Sequence, residues 1–254
     1  LTFNTKCSQD LGKCNETNEL FKILLMRTQD QIKQIKQGQG TPYSISGVVE
    51  DGLVEYYFAR QNDVVQKSTG PKVLKVDPKE SIFQPLLNTL QSHVDDFEIR
   101  YMHYFDVTDP HIIHNDDEFE LPNCYKAFTI PLQIYGNSDD VKLVIFDQYY
   151  YGGPAKFVCG EDTSEWNIHY NTFLSDYSDV EFYKTFKGGI DKEFKEQYLT
   201  HLKDEWLDGL SINKALPWKI GSALCFDSLS LHCSSDFKSK GISRKIGISI
   251  FTVR

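Results

Sequence analysis

The sequence predicts an α+β fold, in which an N-terminal helical layer precedes a β-barrel or jelly roll that carries one large insertion. Three observations predict it. Apolar residues recur at helical spacing before position 97, strand-like runs rich in Ile, Val, Phe and Tyr follow it, and the aromatic stretch 150–217 interrupts those runs. We therefore predict one domain of 254 residues, with an N-terminal layer at 1–96 and a core at 97–254.

The N-terminal layer contains three predicted elements. Leu, Ile and Phe at helical spacing predict a helix from Asn18 to about Gln37, which two glycines then end. Tyr43–Arg60 has Ser-Gly and Asp-Gly dipeptides among aromatic and β-branched residues, which is typical of a hairpin. Asp77–Val94 opens with Asp-Pro and continues with leucines at helical spacing, so it predicts a second helix.

The core contains five predicted strands and one helix. A helix is expected inside the insertion, at Asp191–Leu207. The strands are Phe97–Val107, Ala127–Tyr135, Val141–Tyr149, Ser222–Phe226 and Arg244–Val253.

The composition disfavours several classes of partner. The net charge is −9 and the pI is near 5.3, whereas a nucleic-acid-binding protein needs a basic face. No apolar run reaches the length that crosses a bilayer, and no charged-then-apolar signal opens the chain, so we expect no membrane. The six cysteines include no C-x-x-C pair, which favours a reduced, cytoplasmic protein, although Cys7 and Cys14 could pair.

The segment His114-Asn115-Asp116 predicts part of a metal site. Residues i and i+2 of an extended strand point to the same side, so His114 and Asp116 can converge on one ion. His232 follows a predicted strand and can supply the third ligand. Two imidazoles and one carboxylate on one face leave metal positions open, which is the requirement of iron(II) oxygenases. We expect His111 to support this site rather than ligate.

The open metal positions would accept 2-oxoglutarate and O₂. The far carboxylate of 2-oxoglutarate needs a cation, and the planar fork of arginine suits it best. Arg244 begins the strand after His232 and is our candidate. By itself, His-x-Asp is equally well explained as an exposed loop histidine beside acidic residues. The combination with His232 and Arg244 favours the metal site.

Two segments resemble a known family. Ala223–His232 resembles the distal-histidine strand of 2-oxoglutarate/iron(II)-dependent oxygenases. Ser243–Ser249 is similar to the cosubstrate-arginine strand of their phytanoyl-CoA hydroxylase-like branch, with the prolyl hydroxylase-like branch as the second possibility. The resemblance covers about Phe97–Gln148 and Lys219–Val253.

The resemblance implies a double-stranded β-helix core and assigns roles to six residues. His114, Asp116 and His232 match the iron ligands, and Arg244 matches the arginine that binds 2-oxoglutarate. The remaining two matches are cosubstrate contacts: Ser234, where a hydroxyl can assist the same carboxylate, and Tyr104, on the strand before His-x-Asp.

The resemblance also implies a reaction, the hydroxylation of an unactivated carbon with release of succinate and CO₂. Asp116 argues against the halogenating relatives, which lack this carboxylate. We expect a small-molecule substrate, and a protein side chain remains the alternative substrate. Two alternatives also remain: a catalytically silent jelly-roll module that binds a ligand or protein, and a cupin-type metalloenzyme that does not use 2-oxoglutarate.

Overall fold

The computed structural model describes residues 29–48, 50–66, 71–116, 123–149, 157–158, 171–172, 189–207 and 210–254. The helices in these ranges are all short, and none is long and apolar enough to cross a membrane. The α-helices are α1 Gln29–Gln37, α2 Leu53–Ala59, α3 Gln84–Gln91, α4 Lys192–Tyr198 and α5 Asp204–Leu207, and two 3₁₀ helices lie at Gln61–Asp63 and Ser81–Phe83.

Most of the described strands belong to one large antiparallel sheet. Its members are β1 Tyr43–Ser46, β2 Val65–Gln66, β3 Lys72–Lys75, β4 Glu98–Val107, β5 Cys124–Gly136, β10 Ser222–Asp227 and β12 Ile242–Val253. Their spatial order is β1-β10-β5-β12-β4-β3-β2, so β12 lies in the middle between β5 and β4.

A smaller antiparallel sheet faces the large one. Its strands are β6 Lys142–Tyr149, β9 Ile212–Pro217 and β11 Ser230–Ser234, in the order β11-β6-β9. An isolated antiparallel bridge joins His114 to His232, so the chain around His114 extends this sheet beside β11. A separate two-stranded pair contains β7 Phe157–Val158 and β8 Asn171–Thr172.

Apolar side chains fill the space between the sheets and cover both outer faces. Leu216 of the small sheet and Leu224 and Phe226 of the large sheet belong to the core between them. Helices α2 and α3 pack on the outer face of the large sheet, and α4 and α5 pack on the outer face of the small sheet. Strands β10 and β12 belong to the large sheet, and β11 between them in sequence belongs to the small sheet. Consecutive strands of the chain therefore line opposite sides of the space between the sheets.

All five predicted core strands are present, in β4, β5, β6, β10 and β12, and the helix predicted at Asp77–Val94 is present in part, as the 3₁₀ turn Ser81–Phe83 followed by α3. The hairpin prediction for Tyr43–Arg60 is wrong. Among the described residues of this segment, β1 is the one strand, and α2 follows because Leu53 and Tyr57, four residues apart, bury one helical face. Gly52, at φ 77°, forms the left-handed position before that helix.

Other predictions fall partly outside the described residues. Residues 29–37 of the first predicted helix are helical, and the earlier part of that helix lies outside the described ranges, as do Cys7 and Cys14. The helix predicted at Asp191–Leu207 is two short helices, α4 and α5. Strand β9, which we did not predict, lies within 150–217, and most of that stretch is outside the described residues.

A buried ion pair fastens the segment after α1 to the sheet. Lys126 and Asp227, with side chains 10% and 7% exposed, form a salt bridge between β5 and β10. The Lys126 ammonium also donates to the Gly38 carbonyl at 3.1 Å. The second oxygen of Asp227 accepts from the Gly40 amide and from the Tyr149 hydroxyl, each at 3.0 Å. Each charge is therefore bonded on more than one side.

Removing one member of this pair should destabilise the fold strongly. We expect Asp227→Ala to lower the free energy of unfolding by about 3–5 kcal/mol, because it leaves Lys126 buried without a counter-charge. The matched control is Asp63→Ala, which breaks the exposed Arg60–Asp63 pair and should cost about 1 kcal/mol or less. Urea unfolding followed by circular dichroism measures both, and equal small losses would contradict the expectation.

Candidate metal centre

Main-chain hydrogen bonds fix the three predicted metal ligands relative to one another. The His114 amide donates to the His232 carbonyl at 3.0 Å, and the His232 amide donates back to the His114 carbonyl at 2.8 Å. The Asp116 amide donates to the Ser228 carbonyl at 3.0 Å, just before β11. The extended backbone then places the side chains of His114 and Asp116 on the same side.

The structure brings the three side chains together. Their ligand atoms all lie within 4.8 Å of one another. His114 Nε2 is 3.8 Å from one Asp116 oxygen, and His232 Nε2 is 3.4 Å from the other. The two imidazole ring centroids are 4.2 Å apart. One ion could contact all three groups at once.

The histidines are held in the tautomer that a metal requires. His114 Nδ1 is 2.8 Å from the Ile112 carbonyl, and His232 Nδ1 is 3.0 Å from the Ser230 carbonyl. A carbonyl oxygen can only accept, so each Nδ1 must donate its hydrogen. The Nε2 lone pair of each neutral ring is thereby left for an ion, and a backbone partner on the other ring nitrogen is typical of metal-ligating histidines.

Burial disfavours the charged forms of both His232 and Asp116. It lowers the pKa of His232 to about 4, so this imidazole is neutral at physiological pH, and it raises the pKa of Asp116 to about 7. Asp116 therefore presents a poorly solvated carboxylate to two nitrogen lone pairs. A divalent cation would relieve both the desolvation and the repulsion, so the donor set fits a metal such as iron(II).

The candidate metal centre opens into a cavity of about 600 Å³ between the two sheets. His111 also lines this cavity, and its ring centroid is 4.0 Å from that of His114. Burial, and then the proximity of His114, lowers the pKa of His111 well below its usual range. The Asn115 amide nitrogen is buried without a hydrogen-bond partner among the described residues, so it is a donor available to a group bound in the cavity.

A buried lysine occupies another part of the cavity wall. Lys245 is 4% exposed, and its ammonium donates to the Ser234 hydroxyl at 2.9 Å. It also lies 4.7 Å from the ring centroid of Trp218 and 4.5 Å from that of Phe237. Burial lowers its pKa to about 7. No carboxylate of the described residues forms an ion pair with Lys245, so a bound anion would be its natural partner.

Arg244 does not lie with the predicted ligands. It is on the opposite face of β12, where its Nε and Nη2 donate to the two oxygens of Asp106 at 2.7 and 2.6 Å. Tyr57 donates to the same carboxylate at 2.9 Å. The hydrogen bonds to Asp106, and then the negative charge of its carboxylate, raise the pKa of Arg244 above its usual value. The Asp106 carboxylate therefore joins Tyr57 of α2 to Arg244 on the outer face of the large sheet.

The other two predicted cosubstrate contacts lie in different places. Ser234 lines the cavity and accepts the hydrogen bond from Lys245. Tyr104 is fully buried in the core outside the large sheet, where its hydroxyl donates to the Leu53 carbonyl at 3.0 Å. The structure therefore places Ser234 beside the candidate site and Tyr104 behind the sheet.

Sequence reasoning missed Lys245, although the sequence contains a signal for it. Ile246, Ile248 and Ile250 alternate along the last strand and belong to the core outside the large sheet. Arg244 shares their parity, so it must share their face, whereas Lys245 points the other way. The chemical preference for arginine outweighed this alternation in our prediction.

Comparisons with known proteins give distant structural likenesses. No family model matches the chain, and no curated protein matches it. Among solved structures, it is similar to SnoK, a non-haem α-ketoglutarate-dependent carbocyclase from nogalamycin biosynthesis, at 10% identity and a TM-score of 0.45 over 89% of this chain and 83% of that one. It is also similar to HygX from Streptomyces hygroscopicus, solved with nickel and 2-oxoglutarate, at 11% identity and a TM-score of 0.43 over 89% of this chain and 87% of that one. A third similar structure is a prolyl-4-hydroxylase from Pseudomonas putida, at 10% identity and a TM-score of 0.42 over 84% of this chain and 92% of that one.

Loss of one ligand should strongly weaken metal binding at this candidate centre. Changes to groups that only support a metal ligand cost about 10–100-fold in affinity, so we expect His232→Ala to weaken cobalt(II) binding by more than about 100-fold. His93→Ala is the matched control, because His93 is exposed at the end of α3. Calorimetric titration with cobalt(II) measures both, and an unchanged dissociation constant for His232→Ala would contradict this assignment.

Proposed function

We propose that this chain is an iron(II)- and 2-oxoglutarate-dependent oxygenase that acts on a small molecule. The observation that carries the proposal is the convergence of His114, Asp116 and His232 in a cavity whose wall also holds the buried Lys245. A metal centre and an unneutralised cation in one interior match a cosubstrate that chelates a metal at one end and carries a carboxylate at the other.

Two groups of residues would bind the metal and the cosubstrate. His114, Asp116 and His232 would hold iron(II) through the two Nε2 atoms and the carboxylate, leaving other metal positions open. Lys245 and Ser234 would bind the far carboxylate of 2-oxoglutarate, and Lys245 replaces Arg244 as our candidate for this role. When bound, the metal and cosubstrate supply the oxidation of a substrate C–H bond to C–OH, with conversion of 2-oxoglutarate and O₂ to succinate and CO₂.

The surrounding fold serves this chemistry by holding the ligands and limiting water. We propose that the two facing sheets are the double-stranded β-helix of this oxygenase superfamily. Strand pairing fixes the ligand backbones, and Nδ1 hydrogen bonds fix the imidazole rings before any ion binds. Phe226, with its ring centroid 4.6 Å from that of His232, shields the buried side of the site.

The visible spectrum of the anaerobic complex tests the proposal. We expect protein mixed with iron(II) and 2-oxoglutarate under nitrogen to develop a metal-to-ligand charge-transfer band that His232→Ala abolishes. Iron binding without this band would overturn the role of 2-oxoglutarate and favour a different cupin-type metalloenzyme. Absence of iron binding would overturn the proposal and favour a ligand-binding module.

The affinity for 2-oxoglutarate should depend on Lys245 and on pH. The pKa of Lys245 is about 7, so its charge is present below this pH and is lost above it. With iron(II) saturating, we expect the dissociation constant of 2-oxoglutarate to rise by up to about tenfold per pH unit above pH 7. In Lys245→Met the constant should be higher throughout and independent of this titration. A pH-independent wild-type constant would contradict the role of Lys245.

Adjacent substitutions on β12 should have opposite effects on stability. Lys245 binds its proton more weakly in the folded state, so its charge opposes folding below its unfolded pKa, and we expect Lys245→Met to raise the Tm of the metal-free protein at pH 6. Arg244→Met should lower it, because Asp106 loses its buried partner. At this chain length, about 1 kcal/mol corresponds to about 2–4 °C. Differential scanning calorimetry measures both shifts, and equal signs would contradict the opposite-face assignment.

A further inference from the structure

The cavity has an outer region whose wall is a row of stacked rings on the large sheet. The rings of Tyr101 and Phe251 stack with centroids 5.9 Å apart, and those of His103 and Phe251 stack at 5.6 Å. Tyr101 and His103 are neighbours on the same face of β4, with centroids 4.9 Å apart. We call these three residues the aromatic wall. All three line the cavity, and they offer flat aromatic surface to a bound molecule.

A β-bulge turns an arginine toward this wall. Tyr101 pairs with Phe251 and Ile99 pairs with Thr252, so β4 advances two residues while β12 advances one. Arg100 is the extra residue. In a regular strand, neighbouring residues point to opposite faces, so Arg100 would lie on the face of β4 that is turned away from the cavity. Both Arg100 and Tyr101 nevertheless line the cavity. Bulges commonly re-aim a side chain beside a functional site.

A lysine reaches the same wall from the neighbouring strand. Lys75 of β3 pairs in register with His103, and its ammonium lies 5.1 Å from the centroid of the Tyr101 ring. Lys75 and Arg100 are both exposed, so they lie where the cavity meets solvent. The two cations therefore flank Tyr101 at the outer end of the aromatic wall.

The charges that line the cavity are unbalanced. Among the described residues, Lys75, Arg100, Lys142 and Lys245 line it, whereas Asp116 is the one carboxylate there and belongs to the metal centre. Lys142 is paired with Asp140 at 3.1 Å, and Lys245 is assigned to the cosubstrate. Neither Lys75 nor Arg100 forms an ion pair with a carboxylate of the described residues. This positive entrance contrasts with the net charge of −9 for the whole chain.

We propose that the substrate is a small molecule with a planar apolar body and an anionic group. Its body lies along the aromatic wall, and its carboxylate, sulfate or phosphate group is bound by Arg100 and Lys75. Arg100 offers a planar fork of donors to such a group, and Lys75 adds a second charge. The inference rests on the proposed function, because it names the substrate class of that site.

A pair of probes that differ in charge alone tests this proposal. We would titrate 2-naphthoate and its neutral analogue 2-naphthamide into protein that holds iron(II) and 2-oxoglutarate under nitrogen, and follow naphthalene fluorescence. The same titrations would use Arg100→Gln, the double variant Lys75→Gln/Arg100→Gln, and Lys79→Gln as the control for an exposed charge that does not line the cavity. Circular dichroism checks that each variant is folded.

We expect naphthoate to bind more tightly than naphthamide. Arg100→Gln should weaken naphthoate binding about threefold to tenfold and the double variant should weaken it further, while naphthamide binding and Lys79→Gln stay unchanged. Equal affinity for the two probes, no binding of either, or no effect of Arg100→Gln would each overturn the proposal. The proposal would also be overturned if Lys245→Met lost naphthoate binding while Arg100→Gln and the double variant kept it. That result would place the probe at the lysine assigned to the cosubstrate.

The outcome is separable from that of the proposed function. If the iron(II)–2-oxoglutarate absorption band forms and Arg100→Gln has no effect on naphthoate, the substrate class is wrong and the oxygenase proposal stands. If no band forms, the oxygenase proposal is wrong. Naphthoate fluorescence requires no metal, so repeating the titration on metal-free protein still reports whether the positive entrance binds anions.

Discussion

The alternation of side chains along β12 is the constraint on which both faces of the large sheet depend. This strand lies between β5 and β4, so every side chain on it must point either into the cavity or into the core beneath α2 and α3. Ile246, Ile248 and Ile250 fill the outer core, and Lys245 and Ser249 face the cavity. Gly247 shares the cavity face, where an added Cβ would lie 2.5 Å from Phe105 and 2.8 Å from the Ile130 carbonyl.

The interior contains two ionisable groups of opposite sign for which the described residues provide no partner of opposite charge. Asp116 belongs to the candidate metal centre, and Lys245 lies beside Ser234 on another part of the wall. Burial shifts the pKa of each to about 7, in each case toward the neutral form. Such groups reduce the stability of the empty protein, and their retention is understandable if ligands supply the missing charges. By linkage, the same ligands should stabilise the fold.

Much of the sheet framework could be predicted, because strands buried on both faces have runs of Ile, Val, Phe and Leu that differ clearly from the surrounding chain. The failures have local causes. Four of the seven residues of α2 are aromatic or β-branched, which favours a strand, and the packing of Leu53 and Tyr57 against the sheet overrides that propensity. Strand β9 carries Asn, Lys, Ala and Pro, so it has little strand-like character before it pairs with β6.

Site residues could be predicted where their spacing in the sequence alone brings the side chains together. They were missed where the position of a side chain depends on which face of a strand is buried or on how two strands are aligned. His114 and Asp116 are two residues apart, so extended structure is enough to bring them together. The choice between Arg244 and Lys245 depends on which side of β12 faces inward. The orientation of Arg100 depends on a bulge, which appears only when β4 and β12 are aligned.

The bulge in β4 gives this architecture a simple route to evolutionary change. The inserted position lies toward the start of the strand, and the pairing from Tyr101 to Val107 is continuous beyond it. Loss of one codon there would remove a positive charge from the entrance without altering the metal ligands or Lys245. If the proposed function holds, substrate preference and oxidative chemistry would be encoded in separate parts of the chain, and descendants of this sequence could diversify in the molecules they accept while conserving the reaction.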